Sequence, residues 1–90
     1  AYKRILLEEL IQMKATIIDI NYGRDLYIFR REDDETGYFE LLEGEDFEID
    51  DVLVGDFTKI GTTFVRCELD KRKISIEDFC SVEVAKERIQ

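Results

Sequence analysis

Few residues in this 90-residue chain could carry out acid–base, nucleophilic or metal chemistry. The sequence contains no histidine, which is the commonest general base and the commonest metal ligand in proteins. Its two cysteines, Cys67 and Cys80, have no imidazole to activate a thiolate and too few companions to complete a zinc site. We therefore expect two buried structural cysteines, no cofactor, no metal and no enzymatic activity.

Carboxylates are the other chemical resource, and half of them lie in one stretch. Residues 32–51, EDDETGYFELLEGEDFEIDD, hold 11 of the 22 acidic residues and no basic residue, within a chain of net charge −9. Clustered carboxylates can bind Ca²⁺, but this stretch lacks the Asp-x-Asp-x-Asp-Gly spacing of a calcium loop. The pattern is typical of a solvated acidic surface, and docking of a basic protein is its functional alternative. Within this stretch YFELL is predicted to form a strand and EGEDFEIDD an acidic loop, and Phe47 and Ile49 are expected to fix that loop to the core.

Aromatic and basic residues suggest a different chemistry, the stacking of bases from a single-stranded nucleic acid. In the strand LYIFRR, alternation places Tyr27, Phe29 and Arg31 on one face. The same rings could instead lie in the core or beneath a helix, and the nearby acidic loop would weaken contact with phosphates. The candidate binding residues are Tyr27, Phe29, Arg31, Tyr38, Lys71, Arg72 and Lys73.

Two helices and a set of strands would position these side chains. Residues 1–13 have apolar residues at helical spacing, which predicts an amphipathic helix that lies against the rest of the domain or docks a partner. Residues 14–79 contain short alternating or β-branched runs, as expected for strands. In TTFVRCEL the alternation places Val65, Cys67 and Leu69 on the core face, and in KISIEDF it points Ile74 and Ile76 inward. The tail, residues 80–90, favours a helix, although SVEVA also alternates like a strand.

A glycine-interrupted run, VLVGDFTKIG, contains Gly55 and Gly61. Glycine within a strand allows the bend with which one strand serves two sides of a barrel. We therefore interpret these glycines as the two ends of a corner within a single strand, which gives five strands in total. A phosphate-binding loop is not favoured here because no helix follows the Gly-Asp pair.

The segments LVGDF and ELDKRKISI resemble parts of OB-fold barrels of the RNA-binding ribosomal-protein type. The resemblance depends on Val54, Gly55, Asp56, Asp70 and the run RKISI, and the segment TKIGTT departs from the family spacing. It implies a five-stranded barrel that binds single strands by stacking bases on aromatic residues of its second and third strands.

Together these patterns predict a single domain over residues 1–90. Its class is mainly β (α+β), with a small five-stranded antiparallel OB-like barrel flanked by N- and C-terminal helices. We expect a cytoplasmic, non-enzymatic interaction module without a membrane partner, which binds protein through its acidic loop or an edge strand. The alternative is a single-stranded nucleic-acid-binding module that uses Tyr27, Phe29 and Arg31.

Overall fold

The computed structural model describes residues 12–90, which form six strands, one 3₁₀ turn and one α-helix. The 3₁₀ turn is Tyr22–Arg24, and the helix, α1, is Val82–Ile89. The strands are β1 (Met13–Asn21), β2 (Leu26–Arg31), β3 (Thr36–Glu43), β4 (Val52–Gly55), β5 (Gly61–Cys67) and β6 (Asp70–Phe79). The helix predicted over residues 1–13 lies outside the described residues, except that Met13 begins β1.

The strands form a closed barrel in the order β1-β2-β3-β6-β5-β4, and every neighbouring pair is antiparallel. The barrel closes where β4 pairs with β1, for example Met13 with Gly55. A mainly β antiparallel barrel with a C-terminal helix is thus confirmed. The prediction of five strands was wrong, because VLVG and GTTFVRC are two separate strands that pair antiparallel, Val54 opposite Arg66.

The two glycines mark the boundaries of these strands rather than a bend inside one strand. A Cβ atom at Gly55 would lie 2.8 Å from Val65 Cγ1 and 3.0 Å from the carbonyl oxygen of Phe64, so glycine permits the close approach of β4 to β5. Gly61 begins β5 with a φ of +112°, a backbone conformation that residues other than glycine rarely adopt. Residues 56–60 reverse the chain between them.

Alternation along the strands divides their side chains between the barrel interior and its outer surface. The interior is filled by large apolar side chains, among them five aromatic rings: Ile17, Tyr27, Phe29, Phe39, Phe47, Leu53, Phe57, Val65, Ile74 and Ile76. This filling leaves the barrel interior packed rather than hollow, as expected of a small barrel. The interior is therefore a core and not a ligand cavity.

Helix α1 packs on the outer surface of the first strands. Its buried residues Ala85 and Ile89 cover Leu26 and Ile28 of β2, which form a second, smaller apolar cluster. The helix begins at Ser81, whose hydroxyl oxygen accepts a hydrogen bond from the backbone N–H of the third following residue. The outer face of β2 is thus covered by the C-terminal helix.

Candidate interaction surfaces

Two of the three residues predicted to stack bases lie inside the barrel. Tyr27 and Phe29 are both 0% exposed. The Tyr27 ring stacks on Phe39 with centroids 5.3 Å apart, and the Phe29 ring contacts Phe57 at 5.1 Å. The alternative that these aromatics belong to the core therefore describes the structure, and neither ring can meet a base while the barrel is folded.

The guanidinium of Arg31 is held by hydrogen bonds to neighbouring residues at the same end of the barrel. Its Nε donates to Asp33 Oδ1 at 2.9 Å, and its Nη1 donates to the carbonyl oxygen of Phe57 at 3.0 Å. The hydrogen bond from Arg31 lowers the pKa of the Asp33 carboxyl group to about 2. Arg31 is thus committed to fixing the turn between β2 and β3 and the segment after β4.

Tyr38 lies on the outer face of β3, half-buried beside α1. It packs against the cluster formed by the helix, and the Arg88 guanidinium lies 5.9 Å from its ring centroid. Arg88 also forms an ion pair with Asp78. Tyr38 therefore packs against the helix with part of its surface, and the remainder lines an open hollow beside Arg24 and Arg88.

The predicted basic run Lys71, Arg72 and Lys73 is divided by the alternation of β6. Arg72 points into one end of the barrel and is only 7% exposed. Its guanidinium lies 4.4 Å from the Phe47 ring centroid, and its Nη1 donates to the carbonyl oxygen of Asp46 at 3.3 Å. Arg72 therefore holds the acidic loop, whereas its two neighbours point outward.

The acidic loop, defined here as residues 44–51, connects β3 to β4 and is joined to β1 by backbone hydrogen bonds. The N–H of Asp50 donates to the carbonyl oxygen of Ile17, and the N–H of Ile17 donates to the carbonyl oxygen of Asp51, both at 2.9 Å. Within the loop, the N–H of Glu48 donates to Asp51 Oδ2 at 2.8 Å. These bonds fix the loop backbone to the rim of the barrel.

The loop is also fixed on its inner side, where Phe47 packs against Tyr27 in the barrel interior. Phe47 is fully buried and meets the Tyr27 ring edge to face at 5.3 Å. The Tyr27 hydroxyl donates to Asp46 Oδ1 at 3.3 Å and accepts from the N–H of Phe47 at 3.3 Å. Burial raises the pKa of Tyr27 to about 12, so this hydroxyl stays protonated above pH 10, where a tyrosine ordinarily ionises. The expectation that Phe47 fixes the loop agrees with this packing.

Ile49 does not share that role. Its side chain is 51% exposed, although the sequence suggested that it would fix the loop to the core. The loop side chain that is buried in the barrel end is that of Phe47. The acidic loop thus presents Ile49 to solvent between the exposed residues Glu48 and Asp50.

A second surface lies on the outer side of β5 and β6, and we name it the basic face: Phe64, Arg66, Lys71 and Lys73. Phe64 is 52% exposed, and the Lys71 Nζ lies 4.9 Å from its ring centroid. In the sheet register Phe64 is opposite Lys73, and Arg66 is opposite Lys71. Sequence reasoning identified the two lysines but missed Phe64 and Arg66, although both occupy the outward phase of the strand TTFVRC.

The other predicted features concern thiols, metals, membranes and sheet edges. Cys67 is buried as expected, whereas Cys80 is only half-buried, and desolvation raises the pKa of both thiols. Within the described residues no cluster of Cys, Asp and Glu could hold a metal ion. Over residues 12–90 no helix has the length and apolar character to cross a membrane.

Because the described strands close into a barrel, none of them is a free edge strand, although only two residue pairs join β4 to β5.

Comparison with known proteins gives no relative for this chain. No family model matches its sequence, and no curated protein or solved structure matches it. The resemblance to OB-fold barrels stays a prediction, and the candidate surfaces must be judged from their own geometry.

Proposed function

We propose that this protein is a non-enzymatic module that binds a basic segment of another protein through its acidic loop. The observation that carries the proposal is the contrast between a fixed loop backbone and exposed loop side chains. Asp50 is held to Ile17 by its backbone, while the carboxylates of Glu45 and Glu48 and the side chain of Ile49 face solvent. A loop that is already ordered loses little conformational entropy on binding.

The chemistry of the loop specifies the partner. Carboxylates attract lysine and arginine and steer their approach, whereas the exposed Ile49 offers an apolar contact that salt does not screen. A segment that alternates basic and apolar residues would satisfy both. We place this binding in the cytoplasm, the compartment in which free thiols such as those of Cys67 and Cys80 stay reduced.

The test uses a labelled synthetic peptide of alternating lysine and leucine, with fluorescence anisotropy as the readout. The double variant Glu45→Gln/Glu48→Gln should lower its affinity by about 2- to 30-fold, because exposed ion pairs contribute about 0.2–1 kcal/mol each. The matched control is Glu83→Gln/Glu87→Gln on α1, which removes the same charge from exposed positions. An Ile49→Ala variant tests the apolar contact.

Two results would contradict the proposal. If the loop and helix variants reduce the affinity for the peptide equally, binding depends only on the net charge of the protein and the loop has no special role. If the protein fails to bind the peptide but binds a single-stranded oligonucleotide at low salt, the nucleic-acid alternative replaces it. Such binding would need a ring other than Tyr27 or Phe29, since both are inside the barrel.

A further inference from the structure

The basic face gathers positive charge on an acidic protein, although Asp56 lines the hollow beside Phe64 and Asp70 precedes Lys71. Its members Arg66, Lys71 and Lys73 lie on a protein of net charge −9, yet no acidic residue belongs to β4, to β5 or to residues 71–75 of β6. Phe64 is exposed among these cations. An exposed apolar residue bordered mainly by cations has the arrangement of an interface centre with a polar rim.

The acidic loop has the opposite charge and the same layout, with Ile49 exposed among carboxylates and no basic residue. The two surfaces are neighbours on the barrel, because Glu45 of the loop and Lys71 of the basic face line one shallow hollow. Among the described residues, however, no ion pair joins the loop to the basic face. Backbone hydrogen bonds hold Asp50 and Asp51, at the end of the loop, against Ile17 of β1.

We infer that the partner of the basic face is the acidic loop of a second copy of this chain. This inference rests on the proposed function, since it assigns an occupant to the same loop. Because the two surfaces are adjacent, a two-fold axis between two copies would place each loop on the other copy's basic face. Such an isologous contact forms both pairings at once and closes the assembly as a dimer. In it, Ile49 of each copy would meet Phe64 of the other.

Exchange of charge between the two surfaces tests this arrangement. The face-swapped variant is Arg66→Glu/Lys71→Glu, and the loop-swapped variant is Glu45→Lys/Glu48→Lys. All four positions are exposed, and thermal unfolding monitored by circular dichroism verifies that each variant folds. Sedimentation velocity at about 0.15 M salt, where the net repulsion between copies is screened beyond roughly 8 Å, measures association.

The wild-type protein should form dimers at concentrations up to about 1 mM, and each swapped variant alone should associate at least about tenfold more weakly. An equimolar mixture of the two variants should dimerise again as a heterodimer. In it, the acidic face of the face-swapped copy meets the basic loop of the loop-swapped copy, and the basic face of the loop-swapped copy meets the acidic loop of the face-swapped copy. Phe64→Ala should also weaken the wild-type dimer, while Ile60→Ala, at another exposed apolar residue, should not.

Several results would overturn the inference. A wild-type protein that stays monomeric, or a dimer that neither swap weakens, would overturn it, as would a mixture that fails to recover. If the wild-type protein is monomeric but the alternating peptide still binds in a loop-dependent way, the dimer fails and the proposed function stands. If the face-swapped variant instead loses binding to a single-stranded oligonucleotide with no change in association, the basic face serves nucleic acid.

Discussion

Replacement of Phe47 by alanine should destabilise the whole barrel, although Phe47 belongs to a loop. Its ring is fully buried, meets Tyr27 at 5.3 Å and Phe39 at 5.7 Å edge to face, and lies under the Arg72 guanidinium at 4.4 Å. Removal of a buried phenylalanine ring costs about 3–5 kcal/mol, because transfer energy is lost and a cavity remains. The aromatic and cation–π contacts place Phe47 in the upper half of that range.

A cost of about 4 kcal/mol is a large share of the stability of a domain of this size, for which roughly 5–13 kcal/mol is expected. The unfolding temperature should therefore fall by about 15–30 °C. The neighbouring variant Ile49→Ala is the matched control, since Ile49 lies in the same loop but is exposed. It should change the free energy of unfolding by less than about 0.5 kcal/mol.

Urea denaturation followed by far-ultraviolet circular dichroism measures both variants. If Phe47→Ala does not fold, Phe47→Leu keeps most of the volume and should cost about 1–2 kcal/mol. A cost for Phe47→Ala within about 1 kcal/mol of that for Ile49→Ala would refute the assignment of Phe47 to the core. It would also remove the basis for regarding the acidic loop as ordered before it binds.

Three further variants test the fold and its ionisation. Gly55→Ala should cost about 1–3 kcal/mol in urea denaturation, since its Cβ would meet Val65 at 2.8 Å. Gly23→Ala should cost far less, because its Cβ would make only an ordinary contact with Asn21 Oδ1 at 3.5 Å, and equal costs would contradict the close approach of β4 to β5. Tyr27, whose pKa is raised to about 12, should stay protonated when exposed tyrosines ionise near pH 10. Its contribution to stability is complete below about pH 10 and is lost as the pH rises toward 12, so alkaline titration followed by ultraviolet absorbance should show one late step that Tyr27→Phe abolishes. Ser81→Ala removes the N-cap of α1 and should cost about 1 kcal/mol, measured by thermal unfolding, and no change would contradict the cap.

The alternation of apolar residues predicted the inward faces of several strands correctly. Ile74 and Ile76 of β6 and Val65 and Cys67 of β5 all point inward, because a strand with one buried face repeats every two residues. The same pattern placed Leu69 inward, but Leu69 is 99% exposed. Periodicity indicates the phase of a strand and does not indicate where the strand ends, and β5 ends at Cys67.

The orientation of β2 could not be predicted in the same way. Leu26, Tyr27, Ile28 and Phe29 are all apolar, so the sequence of the strand does not show which face lies inside the barrel. Long-range packing decides which face of β2 is turned inward, because α1 covers Leu26 and Ile28 on the outer face and the rings of Tyr27 and Phe29 lie in the interior. The predicted stacking surface was wrong for this reason, because its residues share one face of β2 but that face is the inner one.

The division of the basic run on β6 links the stability of the barrel to the surface it presents. Arg72 points inward, where its guanidinium lies over the Phe47 ring and donates a hydrogen bond to the carbonyl oxygen of Asp46. The Tyr27 hydroxyl, which lies inside the barrel, forms hydrogen bonds with the same two loop residues. The position of the exposed carboxylates therefore depends on side chains that never touch a partner. A variant such as Tyr27→Phe, which leaves the surface chemistry unchanged, should weaken the binding of a basic peptide by releasing the loop, and unchanged binding would show that the loop needs no support from the core.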